Sequence, residues 1–183
     1  MPEPMSDKAR TREERIAYGK RVAAENRDEI QARTEKSKAE AVGRVRELAG
    51  DELRKRADEL KSVEGVEFIG PEKSKREWIE ARAACRQYVI DAVPEDRLVF
   101  YDELRVLTYE VTGMTLGHSM FPRMCEEIND KKADGCLLSS FVVRKDDGQP
   151  GEGFYTFARS QGFDAPLETL QDQVREKFGR PAQ

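Results

Sequence analysis

Histidine is almost missing: the 183 residues contain one, His118, beside one tryptophan, Trp78, and three cysteines, Cys85, Cys125 and Cys136. The cysteines are odd in number and widely spaced, with no CxxC pair. That pattern excludes a disulfide framework and the paired ligand spacing of a structural zinc site. Reduced, buried thiols in a cytoplasmic compartment are expected, with no metal and no cofactor. Nor is there an apolar run near the roughly 18–20 residues of a membrane span, or the apolar core of a secretory signal. A soluble protein without a membrane partner is the expectation. An excess of positive charge is lacking too: 32 Lys and Arg face 36 Asp and Glu, a net of −4. Residues 1–64 carry 16 basic and 15 acidic side chains, and 65–183 carry 16 and 21. Net charge therefore draws no polyanion to the chain.

Charge of both signs is plentiful. Hydrophobic residues make up 38% and charged residues 37%, against a usual 45–50% and about a quarter. This balance predicts a compact domain joined to a solvated extension, with the extension over 1–64 and the domain over 66–183. No proline interrupts Lys8 to Lys61. Pairs such as Glu40 with Arg44 and Glu52 with Arg56 stand at i,i+4 in the favourable order. Between Asn26 and Glu40 the only large apolar residue is Ile30, so Lys8 to Ala41 reads as an exposed helix or a disordered arm. Val42, Val45, Leu48, Leu53 and Leu60 then form a stripe at helical spacing, predicting a packed helical stretch over Val42–Val63. Gly50 followed by Asp51 suits the end of one helix and the cap of the next. No clean heptad lasts three or four repeats, so a coiled coil is weakly marked. Dimerisation, reach or a protein partner are the uses such helices suggest.

Gly65 to Pro71 is bounded by glycine and proline and reads as a linker or short strand. Ser74 to Ala92 is amphipathic, with Trp78, Ile79, Ala83, Tyr88, Val89 and Ile90 on its apolar side and Pro94 closing it. The organising stretch follows. Val99 to Tyr101 suits a short strand, and Asp102 is placed to cap the helix DELRVLTYEV. A turn holds Gly113 and Gly117, and a second helix opens at His118 or Ser119 with Pro122 in its first turn. Leu137 to Val143 is rich in β formers, and DDGQPG after it is turn chemistry. Leu167, Leu170, Val174 and Phe178 mark a last helix, Ala165 to Phe178. Helix, turn, helix, strand and polar hairpin is the order of a winged helix. The fold expected is mainly α with a small β-hairpin: a helix-supported, winged-helix-like domain behind a charged helical extension.

The string LLSSFVVRKDDGQPGEGF (Leu137 to Phe154) resembles a signature of uncharacterised bacterial and phage small-domain proteins. There, a serine-containing strand leads through Val-Val and a basic residue into Pro-Gly-x-Gly-Phe. More distantly, Leu98 to Phe157 resembles the winged-helix domain of alkylguanine-DNA alkyltransferases and their inactive alkyltransferase-like relatives. Tyr101, Glu103 and Leu104 match that family's helix start, and Val142, Val143, Arg144, Gly148 and Gly151 its strand and wing. Leu138, Ser139, Ser140 and Phe141 stand where the family has Pro-Cys-His-Arg. The resemblance thus implies DNA or nucleotide binding with alkyl transfer lost.

No other catalytic set emerges. Ser139 or Ser140 would need a base, and His118 is the sole histidine. Asp146 and Asp147 read as a turn. For double-stranded DNA, winged-helix geometry points His118, Ser119 and Arg123 at the major groove. Arg144 and Lys145 would take phosphates, helped by Lys131 and Lys132. The expected function is a non-enzymatic, DNA-associated accessory protein. Its rival is a protein–protein adaptor, favoured by the acidic residues Asp146, Asp147 and Glu152 beside those cations.

Overall fold

A computed structural model describes residues 31–33, 35–48, 50–62, 67–69 and 75–179. The arm expected before residue 31 lies outside them. The chain forms two compact units, Met1–Ala39 and Glu40–Gln183. In the first, the described residues are helical, and Lys38 pairs with Glu35 at 3.2 Å.

The second unit is mainly helical with one two-stranded sheet. It opens with α1 (40–47) and α2 (Asp51–Ser62), separated at Gly50, whose φ of 55° lies in the left-handed region that glycine enters without strain. The stripe expected to pack does so: Val45, Leu53, Ala57 and Leu60 are buried in one core with Trp78, Tyr88 and Leu104. Helix α3 (Lys75–Ala92) packs on α4 (Tyr101–Thr112), and α2 packs on α4 from another side. Trp78 is buried and its indole N–H donates to Glu127 at 2.8 Å, so the one tryptophan is core with its polar edge satisfied.

Helix α4 begins one residue before the expected cap. Phe100 holds the N-cap position, and the end is supplied from inside the helix, where the Glu103 carboxylate accepts the Phe100 N–H at 2.7 Å. The same carboxylate accepts from the Tyr88 hydroxyl and from Arg97, both at 2.6 Å. The helix stops at Gly113, whose φ is 72°. After the turn, a 3-10 turn (His118–Met120) runs into α5 (Phe121–Glu127), with Pro122 in its first turn. A one-turn helix α6 (Lys131–Asp134) follows, with Lys131 and Lys132 in its first two positions. Arg86 of α3 grips the nearly buried Asp134 with two hydrogen bonds of 2.7 and 2.8 Å.

The expected β-hairpin is replaced. Strand β1 (Val99–Phe100) pairs in parallel with β2 (Val142–Val143), Val99 opposite Val142. Of the run Leu137–Val143, only these last two residues form a strand; Leu138–Phe141 is a 3-10 turn. The polar turn does close, through Arg144 N–H to Gln149 O at 2.8 Å and Gly148 N–H to Arg144 O at 3.0 Å. No strand returns from it, because α7 (Glu152–Ser160) starts at once. Phe154 and Ala158, four apart, are buried on one helical face against Leu137 and Leu170 of α8 (Leu167–Phe178). That 3.6-residue spacing outcompetes the two-residue alternation a strand needs. Among the described residues no helix is long and apolar enough to cross a membrane.

Removing the Glu103 carboxylate strands three donors. Glu103→Ala is expected to lower unfolding stability by about 3 kcal/mol, the size typical of breaking a buried charge pair. Urea denaturation reads it, and a change under about 1 kcal/mol would show that the three bonds are dispensable.

Candidate functional site

Helices α4, α5 and α7 enclose a cleft of about 360 Å³. Phe121 and Pro122 of α5 and Phe154 and Phe157 of α7 make its apolar walls. Tyr101 and Arg105, one helical turn apart on α4, line it with Ser139 of the 3-10 turn before β2. Lys61, Asp102, Glu126, Arg144 and Glu152 complete it, charges of both signs.

The three α4 and pre-β2 groups share one property. The Tyr101 hydroxyl oxygen accepts the Gly151 N–H at 2.9 Å. The Ser139 hydroxyl oxygen accepts Asn129 Nδ2–H at 3.0 Å, while the Ser139 N–H donates to Asn129 Oδ1 at 3.0 Å. Asn129 Nδ2 also donates to the Cys125 carbonyl at 2.7 Å, so this one amide ties the end of α5 to the pre-β2 turn. Arg105 is only 2% exposed; it donates to the Leu116 carbonyl and lies over the Phe121 ring at 4.7 Å. Its Nε–H has no partner among the described residues, and burial holds the guanidinium below its ordinary value.

Ser139 occupies the place that the alkyltransferase resemblance gives to the nucleophilic cysteine. Its side-chain partner is an amide, which takes no proton from a hydroxyl. Ser140, at the place of the histidine, is fully buried, and its hydroxyl has no hydrogen-bond partner among the described residues. Neither serine lies on the strand expected to carry it.

The residues expected to touch DNA do not share one cavity. The side chains of His118 and Lys131 lie outside those described. Ser119 is exposed and lines a second cavity with Phe68 and Arg105. Arg123 is exposed and held by Glu127 at 2.8 Å. Burial works to raise the Glu127 carboxyl, but the Trp78 N–H and Arg123 outweigh it and hold it below its usual range. Lys132 is exposed. Arg144, at the cleft, is held by Asp147 at 2.7 Å, and Lys145 donates to the Gly50 carbonyl at 3.2 Å.

Sequence reasoning set Tyr101 and Ser139 in their family places but overlooked Arg105 and Asn129. The one signal for Arg105 was its i,i+4 relation to Tyr101; the ten residues from Asn129 to Ser139 gave none. Among the described residues no cluster of His, Cys, Asp or Glu side chains is arranged to hold a metal ion. Comparison with protein-family models, curated proteins and solved structures found no match to this chain.

Burial pushes the Cys85 and Cys125 thiols up to about 12 and Cys136 to about 11. A thiol at about 12 is ionised to roughly one part in ten thousand at pH 8. Native protein should therefore react with Ellman's reagent at least about a hundredfold more slowly than urea-unfolded protein. Cys125, which lines the cleft, should lead. Because the folded state retains protons that the unfolded chain releases above pH 9, stability should fall as pH rises past 9 towards 12. Rapid native labelling at pH 8, or stability flat across that range, would contradict this account.

Proposed function

We propose that this chain is a non-enzymatic accessory protein that binds a protein partner. The contact surface is the outer face of α5, the polar turn after β2 and the start of α7. The framework is read as a winged-helix variant in which a helix takes the place of the returning wing strand.

The observation that carries this reading is the charge of the face. Arg123, Arg144 and Lys145 are its exposed described cations, and Glu126, Asp146, Asp147 and Glu152 its exposed carboxylates, with Glu127 half-buried on the same helix as Arg123. Two of the cations are held by two of those carboxylates, Arg123 by Glu127 and Arg144 by Asp147. Such a face releases few counterions from a phosphate backbone, the term that supplies most non-specific DNA affinity. Mixed charge around exposed Tyr155 and half-buried Phe157 instead suits the polar rim and aromatic anchor of a protein interface.

DNA binding is the second reading, favoured by the helix–turn–helix order with Ser119 and Arg123 exposed at the start of the second helix. Surface ion pairs are worth about 0–1 kcal/mol, so phosphates can displace them.

Labelled duplex and single-stranded DNA, titrated at about 50 and 200 mM salt, separate the two readings. The expected result is no salt-dependent binding. In parallel, a partner co-purifying after nuclease treatment should be retained by wild type and lost by Tyr155→Asp. Duplex binding that weakens with salt and disappears in the Arg123→Ala, Arg144→Ala, Lys145→Ala triple variant would replace the protein-partner reading with the DNA one.

A further inference from the structure

We propose that the cleft between α4, α5 and α7 is a binding site for a small organic carboxylate with an apolar body, such as an aryl-substituted or branched aliphatic acid. The site goes beyond the protein-partner reading and stands or falls separately from it.

Tyr101 Oη–H and Ser139 Oγ–H line one cleft with the Arg105 side chain, and among the described residues neither hydroxyl proton has an acceptor. Each hydroxyl oxygen already accepts a bond, from Gly151 N–H and Asn129 Nδ2–H respectively, so each has its proton left to give. Buried donors are seldom left unmatched, because each costs the desolvation of a polar group. A ligand that supplies acceptor oxygens completes both hydroxyls.

Charge narrows the ligand. Arg105 is buried and forms no ion pair among the described residues; Asp102 and Asp58 act on it only at a distance. A buried cation without a counter-ion calls for an anion. The cations at the mouth are already served: Lys61 bonds Asp58 at 2.7 Å and Arg144 bonds Asp147 at 2.7 Å. Glu126 and Glu152 are exposed at the rim, where water solvates them. Half-buried Asp102 also lines the cleft, 4.0 Å from Lys61, so the lining carboxylates sit at the rim or beside a cation, while Arg105 has no ion pair among the described residues. A carboxylate supplies the opposite charge.

Size and lining select the body. A volume of about 360 Å³ is at the small end of ligand cavities. Phe121, Pro122, Phe154 and Phe157 offer apolar and aromatic contact to one ring or branched chain. Arg105 is fixed over Phe121, so the anion site and the apolar wall are built as one unit.

Calorimetry on the full chain with phenylacetate, phenylacetamide and acetate tests this. Phenylacetate should bind saturably. Phenylacetamide, which keeps the ring but loses the charge, and acetate, which keeps the charge but loses the ring, should each bind at least about tenfold more weakly. Ser139→Ala removes one donor while leaving Asn129 bonded to the Cys125 carbonyl, and should weaken phenylacetate about fivefold. Arg105→Gln should abolish binding; if that variant does not fold, Ser139→Ala and the amide comparison decide. No binding by about 10 mM, equal affinity for acid and amide, or an unaffected Ser139→Ala would overturn the site. A short peptide with a free C-terminal phenylalanine that binds more tightly than phenylacetate would make the cleft a chain-terminus dock and overturn the small-acid assignment.

Discussion

The carboxylate of Glu103 is the constraint on which the larger unit depends. It is almost fully buried and accepts three hydrogen bonds, from the Tyr88 hydroxyl, Arg97 and the Phe100 N–H. Those donors belong to α3, the loop after it and β1, so one acidic group fixes where α4 starts and how it is turned. Arg97 also lies over the Tyr88 ring at 5.2 Å, which stacks the cation on the group that shares its acceptor. A buried charge of this kind is tolerable because every partner is charged or polar and in reach.

The position of α4 then governs the cleft. Tyr101 and Arg105 face the same cavity because they are one turn apart on a helix whose start Glu103 has set. β1, immediately before α4, pairs with β2 and so carries the chain to Arg144 and on to Gly151, whose N–H meets Tyr101. Gly151 also allows that approach: a Cβ there would stand 3.3 Å from the Tyr101 hydroxyl oxygen. From the other side, Asn129 holds the pre-β2 turn against the end of α5 and sets Ser139 in the lining. Two short polar brackets, Glu103 and Asn129, thus hold a mostly apolar cleft in shape.

Charge pairing ties the surface to function in the same way. The described cations that a winged helix would offer to phosphates are mostly engaged with neighbouring carboxylates or carbonyls, whereas the buried Arg105 guanidinium bonds the Leu116 carbonyl and pairs with no carboxylate among the described residues. Of the two proposed sites, the acid site lies in the recess that Arg105 lines. The proposed partner face and the proposed acid site adjoin there, since Arg144 and Glu152 belong to both.

Local pattern alone determined α3, α4 and α8, though not α6 or α7. The i,i+3 and i,i+4 stripes of 74–92, 102–111 and 165–178, the Gly50 break and the Gly113 stop each depend on the residues next to them, and helical hydrogen bonds close within one turn. Everything that needed a distant partner was decided by tertiary structure. Leu137–Val143 has the composition of a strand, but a strand requires an edge to pair with, and β1 offers only two residues of it. Phe154 to Ala158 was expected to follow a hairpin, yet burial against Leu137 and Leu170 favoured a helix. The cleft's donors lie on segments that meet only after folding. That Tyr101, Arg105 and Ser139 share one cavity is a fact about packing, because no spacing along the chain brings together groups 34 residues apart.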